Sequence, residues 1–345
     1  MLLALAPRLR APIIGALRSA LTTNPLTAPV ITNLLLTCVV IALTAGLGWV
    51  TWRMRRASNA FVKWGGMLVS AFFTLILAFV SVSAVRGLAY AYTPRGKPPR
   101  DLKVELTPQR VERGKHIAEM LCAGCHTTNT QLPLSGGKNL SDEAGMPLGD
   151  LYPLNLTPAG RLKDYSDGEI FRAIREGADK NRVRLNVMSA QRVRNLSDDD
   201  LMSVIAYLRS QPPVANPTPA PRLTFLTVAM AGAGLLPRQP DLTVDTIVAP
   251  PEDTSAAYGQ YLAGWMGCDE CHGPALKGGG GGVMPIAPNI HSVKSWSRDG
   301  FIATMRTGKT PFGKQLDSMQ MPYQMVGRGT NVELTAMYKY IVSLP

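Results

Sequence analysis

The chain has 345 residues, room for two or three domains, and a formal net charge of +12. Residues 1–104 carry 12 Lys and Arg against 1 Asp or Glu, whereas residues 105–213 balance at 14 against 14, residues 214–250 at 2 against 2 and residues 251–345 come to 8 against 7. An excess confined to one end is no basic stripe on a folded recognition domain, and this excludes nucleic acid as a partner.

Pro7 and Pro12 break the first 23 residues, where Ile13, Ile14, Leu17 and Leu21 share one helical face with Arg10 and Arg18 elsewhere. This predicts an interfacial amphipathic helix rather than a cleaved leader or a third crossing. Val30 to Val50 and Met67 to Val85 contain no charge, and each approaches the ~20 apolar residues that cross a hydrocarbon core of ~30 Å. Both are expected to be transmembrane helices. Trp49, Trp52 and Trp64 fall at their ends, and Arg53, Arg55, Arg56 and Lys63 on one side with Arg86, Arg95, Lys97 and Arg100 on the other bracket them as no soluble core helix would be bracketed. Cys38, inside the first run, reads as an inert core cysteine.

Next comes the five-residue word Cys122-Ala123-Gly124-Cys125-His126, which recurs as Cys268-Asp269-Glu270-Cys271-His272. In C-x-x-C-H each Cys adds across a haem vinyl group to form a thioether, and the His ligates the iron. A structural zinc site needs no His after each second Cys and sets its pairs closer together. A thioredoxin-like motif would need a βαβ context and no second copy. In a chain with only five Cys and four His, two copies predict two covalently bound haem c groups. Haem is attached to this word after export, so everything beyond the second apolar helix is expected outside the cytoplasm, with the Arg53–Lys63 connection inside.

Beyond residue 105 the chain repeats itself. Arg113-Gly114-Lys115-His116-Ile117-Ala118 resembles Tyr258-Gly259-Gln260-Tyr261-Leu262-Ala263; Phe171, Ile174, Arg175 and Gly177 match Ile302, Met305, Arg306 and Gly308; Leu201, Tyr207, Leu208 and Ser210 match Leu334, Tyr340, Ile341 and Ser343. Each copy predicts a first helix ending in the haem word, a short middle helix (Glu169–Arg175, Phe301–Arg306) and a closing amphipathic helix, capped by Ser197 with Asp200 in one copy and by Thr330 or Asn331 in the other. Between the copies, Pro212, Pro213, Pro217, Pro219 and Pro221 predict a stiff linker, followed by an apolar Leu223–Leu236 run too short to span a bilayer, expected to pack between domains or lie on the membrane surface. The boundaries are an anchor over 1–104, a first domain over 105–213, a linker over 214–250 and a second domain over 251–345.

The repeat also selects a sixth iron ligand. Met321-Pro322-Tyr323 precedes Tyr340 by nineteen positions, and Met188 precedes the equivalent Tyr207 by nineteen. Met188 and Met321 are therefore the expected pair, with Met146 and Met319 as competitors out of register. The two units resemble class I cytochrome c domains in tandem, as in the membrane-anchored diheme cytochromes of bacterial respiratory chains. The resemblance covers residues 105–213 and 251–345 and rests on C-x-x-C-H, Met-Pro-Tyr and the closing-helix pattern; Met188 departs from it, being followed by Ser189 and Ala190.

The expected fold is all-α: two transmembrane helices, then two cytochrome c-like helical domains. His126 and Met188, and His272 and Met321, would fill both axial positions of their irons, so single electrons pass and no substrate is activated. Asn155, Asn289, Tyr165 and Trp296 are candidates to hold haem propionates. His116 and His291 are spare imidazoles, expected in helix packing or at the surface, with bis-His ligation the alternative. Lys277 with Gly278–Gly282 lacks the ending of a phosphate loop and reads as a haem-side loop. Arg172, Arg175, Lys180, Arg182, Arg184, Arg192 and Arg194 read as a basic rim steering an acidic redox protein. The function expected is electron relay in a respiratory or photosynthetic chain, as a multi-pass protein of the cell membrane with periplasmic haem domains and redox protein partners, without a small-molecule substrate. The alternatives are a diheme peroxidase-like enzyme, which would need one open iron site, and the electron-accepting subunit of a periplasmic dehydrogenase.

Overall fold

The computed structural model describes residues 27–236, 246–279, 287–318 and 320–345. The expectations for the first 23 residues, for most of the glycine run and for Met319 therefore lie outside the described residues. In chain order the longer helices are α1 (Thr27–Met54), α2 (Ala60–Tyr92), α3 (Pro108–Ile117), α4 (Asp167–Glu176), α5 (Asp198–Ser210), α6 (Phe225–Ala233), α7 (Ala256–Met266), α8 (Arg298–Thr307) and α9 (Asn331–Ser343). Strand structure is limited, among the described residues, to a two-residue ladder pairing β1 (Gly149–Asp150) antiparallel with β2 (Arg222–Leu223) and to isolated bridges. The fold is all-α, as the periodicity predicts.

The chain forms two compact units. Among the described residues, the first gathers 27–93, 139–152 and 219–235. In it α1 and α2 form an antiparallel hairpin closed by Thr44–Ser81 and Asn33–Tyr92 side-chain hydrogen bonds of 3.0 and 3.2 Å. The hairpin is inside out: Asn33, Thr37, Ser70, Ser81 and Ser83 are buried, while Leu35, Leu43, Leu68, Phe72, Leu75 and Phe79 are exposed. At the turn, Arg53 stacks over Trp49 and Arg56 over Trp52. The apolar run after the linker forms α6, started by Thr224 accepting from the Thr227 amide and packed against α2. A Cβ on Gly87 would stand 1.8 Å from the Val228 carbonyl oxygen, and one on Gly232 would stand 1.7 Å from that of Ser83, so glycine is required at both crossings.

The second unit gathers the described residues of 94–138, 153–218 and 236–345 and holds both copies of the repeat. In each copy the first helix crosses the closing one at a glycine: a Cβ on Gly114 would meet Ser203 O at 1.8 Å, and one on Gly259 would meet Ala336 O at 2.0 Å. The middle helices α4 and α8 start at Ser166 and Ser297 and end on left-handed Gly177 and Gly308. Ile117, Leu134, Leu201, Ile205, Leu262 and Leu334 are fully buried in one continuous core that runs through both copies.

The copies meet across a local pseudo-two-fold axis. His116 Nε2 lies 2.7 Å from Glu333 Oε2 and, reciprocally, the Tyr261 hydroxyl donates to Asp200 Oδ2 at 2.6 Å. Asn195 donates to the Gly264 carbonyl, and its equivalent Arg328 donates to that of Glu119. Arg113 links the halves by pairing with Asp200 of its own copy and Glu333 of the other.

Candidate functional site

The first haem word sits at the end of an almost unbroken helix: α3 runs into a π turn at Ala118–Cys122 and a last helical turn at Ala123–His126. The second occupies the short helix Cys268–His272, set off from α7 by left-handed Gly267. Both histidines are buried and held in the same way. His126 Nδ1 lies 2.8 Å from the Leu154 carbonyl oxygen, and His272 Nδ1 lies 2.8 Å from that of Pro288. A carbonyl only accepts, so Nδ1 carries the proton and Nε2 is left with a free lone pair, the state an iron ligand needs. Burial pushes the His126 pKa down, against the hydrogen bond to Leu154, and so favours this neutral ring. No hydrogen-bond partner meets either Nε2 among the described residues.

Sequence reasoning missed the two orienting carbonyls, although it marked the asparagine after each. Asn155 is not a free donor: its amide serves the Val214 and Asn216 carbonyls, and its oxygen accepts from the Thr157 amide and hydroxyl. It fixes the Leu154 loop under His126 instead of reaching for a propionate. Asn289 caps the turn Ile290–Ser295 beside Pro288. A second shared device is a glycine amide on each histidine's own carbonyl, from Gly136 to His126 at 2.9 Å and from Gly278 to His272 at 2.7 Å.

The surroundings fit a haem. The indole N–H groups of Trp265, just before the second word, and of Trp296 are buried without a partner among the described residues, as donors awaiting an acceptor such as a propionate would be. Burial pushes the Cys122 and Cys268 thiols up to about 12, and among the described residues no three or more His, Cys, Asp or Glu side chains gather as a metal-ion site. When bound, haem supplies a one-electron ferric/ferrous couple; Cys122, Cys125 and His126, and Cys268, Cys271 and His272, would hold it.

Met188 opens the turn Met188–Ala190 and Met321 precedes the short helix Tyr323–Val326; both are half-buried against the core. Upstream residues of the copies correspond at an offset of 131, with Ala178 bridging Arg184 and Lys309 bridging Gln315, whereas the closing helices correspond at 133, with Ser197 matching Thr330. Two extra residues therefore lie in the methionine loop of the second copy. Counting from upstream aligns Met188 with Met319; counting from the closing helix aligns it with Met321.

The spare histidines are occupied elsewhere, His116 by Glu333 and His291 Nε2 by the Ala275 carbonyl at 2.8 Å. The basic rim is smaller than expected, with Lys180 and Arg182 exposed and Arg184 and Arg192 partly so. Arg172, Arg175 and Arg194 are buried, and Arg175 spends its guanidinium on the Arg194 and Leu196 carbonyls and on Asp198. Arg182 donates to the Arg95 and Gly96 carbonyls and Arg192 pairs with Asp269, so these two cations also tie chain segments together.

Comparison with known proteins agrees with this geometry. Over 268 aligned residues the chain is 32% identical to a nicotinate dehydrogenase component from Pseudomonas putida; the match takes in 67% of this chain and 21% of that one, so the chain spans about a fifth of its relative's length. The cytochrome c profile matches residues 111–212 and 256–345, one stretch around each haem word. With more than half of its length matched, the chain belongs to the cytochrome c family, proteins of electron transport that carry covalently bound haem c.

Proposed function

We propose that this protein is a membrane-tethered diheme cytochrome c that relays single electrons as a subunit of a larger redox complex. The observation that carries the reading is the doubled histidine geometry: two attachment words, each with Nδ1 tied to a main-chain carbonyl and Nε2 left open. Met188 and Met321 are the proposed sixth ligands; their soft thioethers favour ferrous iron and close the site to substrates. Functionally the chain divides into an anchor over 1–104, haem domains over 105–213 and 251–345, and a linker over 214–250 whose helix α6 serves the anchor.

The inside-out hairpin supports membrane insertion, because apolar side chains face outward and hydroxyls face the partner helix, the arrangement of helices packed in lipid. The Arg and Trp side chains at its turn suit a membrane interface on the cytoplasmic side, which leaves the haem domains in the periplasm. A dehydrogenase is the favoured electron donor, because the relative named above is a dehydrogenase subunit.

Purified full-length protein should contain two c-type haems per chain by alkaline pyridine haemochrome assay. The ferric form should show the weak thioether-to-iron absorption band at the red end of the spectrum. M188A and M321A should each remove about half of that band, and M319A should leave it intact. A band lost in M319A and kept in M321A would move the second ligand to Met319. Extensive carbon monoxide binding by the reduced wild type would favour the peroxidase-like enzyme.

A further inference from the structure

Four residues after each methionine, the chain reaches the haem word of the other copy. Met325 lies on the first word: a Cβ on Gly124 would stand 2.7 Å from its sulfur. Its pseudo-two-fold equivalent, Arg192, lies on the second word, with Cγ 3.1 Å from a Cβ built on Gly267. The contacts are equivalent in place and opposite in chemistry. Ala123 and Gly124 present no charge to a thioether, whereas Asp269 and Glu270 present two carboxylates to a guanidinium. Arg192 Nη2 stands 2.8 Å from Asp269 Oδ2, and its Nε stands 3.4 Å from Glu270 Oε1.

We propose that Arg192 is a positioning residue for the second haem: a positive charge lent by the first domain that offsets Asp269 and Glu270 and holds the second centre's reduction potential above the value those carboxylates alone would set. The inference rests on reading Cys268–His272 as a haem attachment word. Gaining an electron lowers a haem's charge by one, so nearby carboxylates favour the ferric form and a nearby cation the ferrous form. The Arg192 and Glu270 side chains are each 27% exposed, so water screens the group only in part. The guanidinium donates to Asp269 through Nη2 and sets its Nε edge toward Glu270, a fixed planar placement that the flexible ammonium of a lysine does not reproduce. Because the equivalent contact at the first word is uncharged, the effect falls on one haem and separates the two potentials.

The test is a spectroelectrochemical titration of the full chain in mild detergent, comparing wild type with R192Q, R192K and D269N/E270Q after haem quantitation and thermal unfolding of each. In R192Q one of the two one-electron waves should move to lower potential, by a threefold to tenfold change in the ferrous-to-ferric ratio at fixed potential, tenfold being about 59 mV. The other wave should stay in place. D269N/E270Q should move the same wave upward, R192K should fall between wild type and R192Q, and added salt should shrink every shift. Two haems in place with neither wave moving in R192Q, or with both moving equally, would overturn the inference. A wild type with a single haem would instead overturn the reading on which it rests.

Discussion

Glu333 is the most heavily engaged side chain where the copies meet. It is fully buried; burial pushes its carboxyl up, but the hydrogen bond and charge of His116, the Thr330 amide and Arg113 together outweigh burial and hold it at about 2. His116 is raised in turn by its hydrogen bond to Glu333, against burial. A carboxylate with a depressed folded-state pKa contributes stability that is present above its ordinary 4.5 and lost as the pH falls toward 2. An imidazolium with a raised pKa contributes stability that is present below its ordinary 6.5 and lost as the pH rises through the folded value. The pair therefore stabilises most between pH 4.5 and 6.5. E333Q should cost up to roughly 3–5 kcal/mol there, because it strips half-buried His116 of its counter-charge and leaves Arg113 with Asp200 but without its partner in the other copy. Chemical denaturation across a pH series checks this; a variant that keeps the wild-type pH profile would contradict it.

Among the elements, the crossings of α3 on α5 and of α7 on α9 leave no room for a side chain. G259A would drive its Cβ into the Ala336 carbonyl of α9 and should destabilise by about 1–3 kcal/mol or more. Gly264 lies in the same helix with nothing within 4 Å of an added Cβ, so G264A should be neutral or stabilising by up to ~1 kcal/mol, the gain in helix propensity. Thermal unfolding of the two variants separates packing from propensity. The closing helices were legible in sequence: Ser197 and Thr330 cap them where their positions predict, while Ser166 and Ser297, which cap the middle helices, went unmarked. Asp200 shows where local reading stops. It sits where a capping box would turn it back on Ser197, yet its carboxylate faces Arg113 and Tyr261, a choice made by the opposite copy. The same holds for the arginines around Met188, whose charges read as surface until the fold supplies carbonyls for them, and for Leu154 and Pro288, whose contribution to the site is a backbone oxygen that no side-chain motif encodes.

At the scale of the molecule, one core runs through both copies and a charged network ties their first and closing helices together. The haem-bearing unit should unfold in a single transition, with far-ultraviolet circular dichroism and haem absorbance reporting the same midpoint in urea. Two resolved steps would show the copies to be independent. The contacts that join them are reciprocal, each half offering the other the same patch it receives. Such a self-matching join is closed once made. Whatever delivers or collects electrons must therefore dock on faces that the twins do not already spend on each other.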